Sequence, residues 1–434
     1  MGGFLAEILY SLLYVVLLAS SLASIASRRK AWLYSLAAST TGTIIVVILG
    51  LTGASFTVPI MHMPALVVSF NKLSAVFASV MALGSLLAIL LIRDIADEHD
   101  YAAIMLSVLG LVGFFTSLDL FWMLVFWETT VLPLYYLAYR RGGRGSALLF
   151  LAYTQVAGIL LAAATMLALH QVGSDALCYI SQLTGSVKTL VTVLLVATFM
   201  IKASVFPFHF WLPRLYSENP AQVAMLSVLM VKMGVYGLAL LRLYNVYSYS
   251  PVLVALSLTG ALYALLIAHR HIGESGYVPS LAYLSIAHMN FIASVAFSAS
   301  QPSLIANAVT LYSVAHTLSL IPALAYAYLS SIGADERMLL AASSTLLLPL
   351  PGLVLFSSEL LALAALLGTA TWAIILGALI SLLNISAASW LLYRALSEAT
   401  IHGMKWGHLV AGLAIASITT IALGVVPVVI EPFA

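Results

Sequence analysis

Fourteen stretches of this 434-residue sequence are apolar over the length of a bilayer crossing, and that repetition constrains the fold more than any other feature. A helix needs about 20 residues to cross a hydrocarbon layer of roughly 30 Å, and a backbone in that layer must satisfy its own hydrogen bonds. The stretches run approximately over 4–25, 31–51, 64–92, 101–118, 120–139, 145–170, 187–209, 221–245, 251–268, 278–298, 303–330, 338–367, 369–393 and 408–430. The expected fold class is an all-α polytopic membrane protein of about 14 transmembrane helices. Only 7% of residues are charged, with 17 Lys+Arg against 15 Asp+Glu, which excludes a soluble globule and gives a nucleic acid nothing to bind. One cysteine, Cys178, supplies neither a disulfide nor a thiolate cluster.

Charge checks the parity of the count, because cytoplasmic loops carry the Lys/Arg excess. Odd-numbered loops collect Arg28, Arg29, Lys30, Arg93, Arg140, Arg141, Arg144, Arg214, Arg270, Arg337, Arg394 and Lys405, while even-numbered ones hold only Lys188 and Arg242. The alternation predicts both termini outside. The basic residues follow span 1, whereas a cleaved signal peptide has them first. No loop exceeds about twenty residues, and Gly142-Gly143-Arg144-Gly145 lacks the Lys-Ser/Thr of a phosphate loop, so nucleotide and redox chemistry are expected on other polypeptides.

Five charged residues fall inside the predicted spans: Lys72, Glu128, Lys202, Lys232 and Glu359. A Lys or Asp at a helix centre opposes insertion by about 2.5–3.5 kcal/mol even on lenient scales, so each calls for a function or a partner. Lys232 lies about 16 Å from either span end at 1.5 Å per residue, too far for its ammonium to reach water by snorkelling. Gly234 and Gly237 leave room beside it for a neighbouring helix or water. Pro207 stands five residues after Lys202, and Leu348-Pro349-Leu350-Pro351-Gly352 precedes Glu359, so spans 7 and 12 should be broken helices. Being five spans apart, they suggest two inverted five-helix repeats, over 101–245 (helices 4–8) and 251–393 (helices 9–13). Residues 1–100 then form helices 1–3 and 394–434 a C-terminal loop and helix 14.

His288 and His316 sit mid-span and can relay protons between the charged halves, with neutral packing histidines as the structural alternative. His209, at the end of span 7, is weaker, and a static ion pair between Glu128 and a lysine competes with a proton-carrying role. Phe121, Trp122, Phe126 and Trp127 read as a lipid-facing aromatic belt. No pair of His, Asp or Glu has ligand spacing inside a span, so neither metal nor cofactor is expected.

The segment FMIKASVFPFHFWLPRLYSENPAQVAMLSVLMVKMGVYGLAL, residues 199–240, resembles the signature of the antiporter-like subunits of respiratory complex I. Phe126-Trp127-Glu128 with Pro133-Leu134-Tyr135, Ser285-Ile286-Ala287-His288-Met289 and Phe356-Ser357-Ser358-Glu359 resemble further stations of that family, across roughly residues 100–395. A glutamate at 359 is similar to subunit M, where its relatives usually carry lysine. The sequence departs from the pattern at Lys72, where an Asp-Gly is usual, and at Ser357-Ser358, which replaces a Gly. The resemblance implies that Glu128 pairs with Lys202, that protons pass through water and histidines to Lys232, and that Glu359 leads to the outer exit.

It further implies a proton-translocating subunit of a complex I-like NADH/quinone (or ferredoxin/F420-type) oxidoreductase in a prokaryotic plasma membrane. Its partners would be other membrane-arm subunits, redox subunits of a peripheral arm, internal water and lipids. The same family admits an Mrp-type sodium/proton antiporter subunit or the membrane subunit of an energy-converting hydrogenase, and a passive scaffold is the reading without transport.

Overall fold

The structure, a computed structural model, describes residues 2–60, 63–274, 276–333, 336–399 and 407–425; Lys405 lies outside them. It is an all-α polytopic fold built from α1 (Gly2–Ala26), α2 (Ala31–Thr52), α3 (Lys72–Leu91), α4 (Glu98–Thr116), α5 (Leu120–Arg140), α6 (Arg144–Val172), α7 (Leu177–Ile180), α8 (Gly185–Lys202) and α9 (Trp211–Ser217). The second half adds α10 (Ala221–Met230), α11 (Lys232–Leu243), α12 (Pro251–Glu274), α13 (Tyr277–Ala296), α14 (Pro302–Ser331), α15 (Arg337–Ser344), α16 (Val354–Leu367), α17 (Thr371–Ser397) and α18 (His408–Val425). Thirteen helical segments among the described residues are long and apolar enough to cross a membrane, α10 and α11 counting together. The fourteenth expected span is the broken pair Arg337–Leu347 and Val354–Leu367.

Span 3 begins later than its apolar run. Ser55–Val58 (β1) and Leu66–Ser69 (β2) form an antiparallel hairpin, so the helix starts at Lys72 with Asn71 capping it through the Ser74 amide. Lys72 therefore occupies the first turn of α3 rather than the interior of a span. Spans 4 and 5, whose separation rested on three residues, are distinct helices, because Ser117 is extended and Val68 bridges to it.

Contacts between loops support the parity independently of charge sidedness. At one end Arg28 pairs with Glu98 at 2.9 Å, Arg140 with Asp97 at 2.6 Å, and Arg337 with Glu398 at 3.8 Å, joining loops 1, 3, 5, 11 and 13. At the other end the Val67 amide donates to Asp119, the Phe121 amide to Asp175, Arg242 to the Ser300 carbonyl and the Ala299 amide to Thr369. Those four contacts join loops 2, 4, 6, 8, 10 and 12. Odd loops meet odd loops and even loops meet even ones, as an alternating bundle requires.

Both expected interruptions are present, and at the first the protein itself supplies partners for the freed backbone. After Lys202 the chain leaves the helix through Ser204, whose φ of 55° is left-handed and unfavourable for a side chain by roughly 1–2 kcal/mol. Asn290 of α13 props this turn, accepting from the Phe206 amide at 2.9 Å and donating to the Ser204 carbonyl at 3.3 Å. In span 12 the helix stops before Pro349 and Pro351 and resumes at Val354, with Gly352 at φ 94°. Gly424 of α18 packs against this second turn. A milder irregularity, unsignalled by any proline, lies in span 8, where Val231 separates α10 from α11. There the Gly234 amide bonds the Val231 carbonyl three residues back, a tightened turn.

Two glycines bring spans 7 and 8 together. A Cβ on Gly234 would meet the Ala203 amide and the Phe199 carbonyl, and one on Gly237 would meet the Phe199 ring. Gly234→Leu should therefore destabilise the fold by at least the ~1–3 kcal/mol of core overpacking. Gly145→Leu, in open space, should stay within about 0.5 kcal/mol, and thermal unfolding in mild detergent compares the two.

The hairpin end carries a titratable fastening. Burial foremost, then the nearby negative charge of Asp175, push the Asp119 carboxyl up to about 6 against the hydrogen bond from the Val67 amide. A carboxyl raised on folding binds protons more tightly in the folded state, so its contribution is complete below about pH 4 and is lost as pH rises through about 6. The midpoint of thermal unfolding should fall over that window in the native chain and stay flatter in Asp119→Asn, whose side chain does not titrate.

Candidate functional site

The six candidate residues resolve into two clusters. The first joins α5, α6 and α8. Glu128 accepts from Gln155 Nε2 at 2.8 Å, and Gly158, one turn along α6, lets that helix approach the carboxylate. Lys202, the last residue of α8 and 1% exposed, makes no ion pair within 4 Å of Glu128. Its Nζ instead lies over the Trp127 ring, 4.3 Å from the centroid. A desolvated ammonium on an indole face gains about 2 kcal/mol or more.

This arrangement corrects the reading of the aromatic cluster. Trp127 is fully buried, and Trp122 and Phe126 are each 6% exposed, with Phe121 partly buried against them. They pack inward because α1 and α4 cover the side of α5 that the sequence assigns to lipid; Phe126, for instance, lies against Tyr14.

The second cluster runs across α11, α13, α14, α16 and α17. Lys232 Nζ donates to the Val228 carbonyl at 3.0 Å and lies 2.7 Å from His316 Nδ1. With Lys232 as an ammonium donor, His316 Nδ1 accepts and its Nε2 proton faces Ser285 Oγ at 3.1 Å. The His316 and His288 rings are 5.5 Å apart between centroids. His288 Nε2 lies 2.8 Å from Asn384 Oδ1, and Asn384 Nδ2 donates to Glu359 Oε1 at 3.1 Å. Tyr312 closes the array, its ring 5.5 Å from that of His288 and its hydroxyl 3.4 Å from Glu359.

Lys232, His316, His288 and Glu359 are thus brought together, and Glu128 with Lys202 forms a separate group. Among the described residues no hydrogen bond joins Lys202 to Lys232; the link is the backbone contact of Ala203 with Gly234. His209 belongs to neither cluster: it packs among Phe206, Phe210 and Tyr263, and neither ring nitrogen has a partner among the described residues. Sequence reasoning missed Gln155, Tyr312 and Asn384. A search for polar residues at mid-span, rather than charged ones alone, would have found Asn384 between Leu383 and Ile385.

The Lys232–His316 contact should behave as one unit. Lys232→Met and His316→Leu each leave a buried partner unsatisfied, at about 1–3 kcal/mol, whereas the double variant removes both. A double-mutant cycle on thermal stability should show non-additivity of roughly 0.5–3 kcal/mol.

Comparison with known proteins places this geometry in a family. The family described as NADH:quinone oxidoreductase/Mrp antiporter, TM, matches residues 117–401, well over half of the chain. Over 195 residues the chain is 35% identical to NAD(P)H-quinone oxidoreductase chain 4 2 of Trichodesmium erythraeum, covering 42% of this chain and 34% of that one. Over 217 residues it is 30% identical to the F(420)H(2) dehydrogenase subunit M of Methanosarcina mazei, covering 45% and 43%. The matched region therefore spans well under half the length of these curated relatives.

The fold is also that of chains in the membrane-bound sulfane sulfur reductase, an archaeal respiratory membrane complex (TM-score 0.84, 18% identity, 98% of this chain and 94% of that one). It is shared with respiratory complex I from Thermus thermophilus with bound NADH (TM-score 0.81, 20% identity, 96% of each). The Mrp complex from a Dietzia species matches as well (TM-score 0.81, 18% identity, 98% of this chain and 51% of that one). By the extent of the family match, this chain belongs to the transmembrane family of NADH:quinone oxidoreductase and Mrp antiporter subunits.

Proposed function

We propose that this chain translocates protons as a membrane-arm subunit of a complex I-like oxidoreductase, driven by electron transfer on partner subunits. The observation that carries the reading is the buried array Lys232–His316–His288–Asn384–Glu359, which crosses the interior through four titratable side chains. Such groups are costly in a bilayer and are kept where protons or ions move. Moving one charge across 100 mV requires about 2.3 kcal/mol, which a change of charge on one buried neighbour can supply.

In this reading Glu128 loads Lys202 through space, and the abutting turns at Ala203 and Gly234 convey the change to Lys232. The histidines pass the proton on, and Glu359 releases it. The units 101–245 and 251–393 would be the inverted repeats, each contributing one broken helix. The basic odd loops would face the cytoplasm of a prokaryote, both termini lying outside. The partners would be neighbouring membrane subunits, redox subunits of a peripheral arm, and lipids along the exposed apolar faces. Relatives named as quinone- and F420-linked dehydrogenase subunits favour redox drive over sodium exchange.

Lys232→Ala and Glu128→Gln should assemble yet abolish proton pumping by the complete complex in reconstituted vesicles. An unchanged proton/electron stoichiometry would overturn the proposal. Sodium-dependent proton flux without any electron donor would assign the chain to antiport instead.

A further inference from the structure

We infer that Asn384 is an insulating bridge, a positioning residue that occupies the shortest route between His288 and Glu359 and keeps it closed to protons until its amide swings aside. The inference rests on the reading that the Lys232–Glu359 array carries protons. It concerns a residue of α17 that contributes no charge.

Asn384 contacts both neighbours at once. Its Oδ1 lies 2.8 Å from His288 Nε2 and its Nδ2 donates to Glu359 Oε1 at 3.1 Å, with Asn384 itself 2% exposed. Water, a carboxyl or an imidazole relays a proton by taking one on one side and releasing another from the other side. A primary amide has a fixed complement of two donors and one accepting oxygen and neither gains nor loses a proton in any accessible pH range. His288 and Glu359 are therefore tied together by two hydrogen bonds through which no proton can pass.

The two bonds also make the amide responsive to charge. In the orientation observed, the carbonyl requires a proton on His288 Nε2 and the NH2 group requires that the Glu359 oxygen facing it carry none. The turned amide suits the opposite pair, a bare Nε2 and a protonated Glu359. Consider a proton arriving at His288 Nδ1, an atom with no hydrogen-bond partner among the described residues. The imidazolium then gives up its Nε2 proton, Glu359 gains it, and neutral His288 and neutral Glu359 remain. Charge and protons balance, and the end state fits only the turned amide. Transfer thus waits on the Asn384 amide swinging out from between the pair, so that the Nε2 proton passes to Glu359 through water that takes its place before the amide returns turned over; Tyr312, beside the His288 ring and 3.4 Å from Glu359, lines the remaining side.

The test replaces the amide by isosteric side chains that can and cannot relay. Asn384→Asp supplies a carboxyl in the same place, and Asn384→Leu supplies similar volume with no relay. The complete complex is reconstituted in vesicles, and passive proton leak without electron donor is read with a pH-sensitive dye. Asn384→Asp should raise the leak at least tenfold, Asn384→Leu should leave it at the native level, and Glu359→Gln added to Asn384→Asp should return it to that level. Should the aspartate variant fail to assemble, Asn384→His carries the same expectation, because imidazole also relays.

A native leak in the relay-competent variant overturns the inference, as does a raised leak that Glu359→Gln leaves untouched, since that marks a packing defect. If Lys232→Ala and Glu359→Gln pump normally, the functional reading itself fails. If they abolish pumping while Asn384→Asp stays tight, only the insulating bridge does.

Discussion

The cost of holding an ammonium or carboxylate away from water governs this structure. Four charged side chains in the membrane interior oblige the surrounding helices to provide acceptors, donors or ring faces, and three of the four spans that carry them deviate from a plain apolar rod. The Lys202 end of α8 unwinds at Ser204, and Asn290 holds the turn. Span 8 tightens at Val231, where Lys232 takes the Val228 carbonyl and the His316 ring. Span 12 opens at Pro349–Gly352 shortly before Glu359. The irregular backbone and the charges occur at the same places because each makes the other tolerable.

Much of this was legible in the residues. Length and composition alone gave fourteen crossings, and the distribution of arginines gave a parity that the loop contacts independently support. Prolines marked two discontinuities because a missing amide is a local fact of the sequence. The tightened turn at Val231 has no such mark, since it arises from the packing of Gly234 on Ala203. The hairpin before α3 was absorbed into a span because Leu66–Ser69 is as apolar as the helix that follows, and that shift placed Lys72 too deep. Trp127 was assigned to lipid because an aromatic residue near a helix start suits either an interface or a core, and only the positions of α1 and α4 decide. Asn384 was missed because attention to formal charge overlooks an amide, although in an apolar interior an amide also demands partners.

The arrangement of the site differs from a single file of titratable groups. Glu128 and Lys202 make no direct contact, the ammonium lying over the Trp127 ring instead, whereas Lys232 and Glu359 are connected by hydrogen bonds and ring contacts. The two halves share a backbone contact at the turns of spans 7 and 8. Change in one half can therefore reach the other as a displacement of packed backbone, a coupling that needs no continuous wire of side chains.

The cleft beside Glu128 bears on where this protein's working unit begins. Its volume is about 620 Å³, and its walls include Ser21 and Ile25 of α1 and Ala102 and Leu106 of α4 as well as Glu128 and Thr129 of α5. The family-defining segment starts at residue 117, after α1 and α4 are complete. The surroundings of the first carboxylate are thus built partly by sequence outside the stretch that identifies the chain. Divergence in the N-terminal helices among relatives would then reshape the packing around that carboxylate, while every residue of the recognisable signature stayed the same.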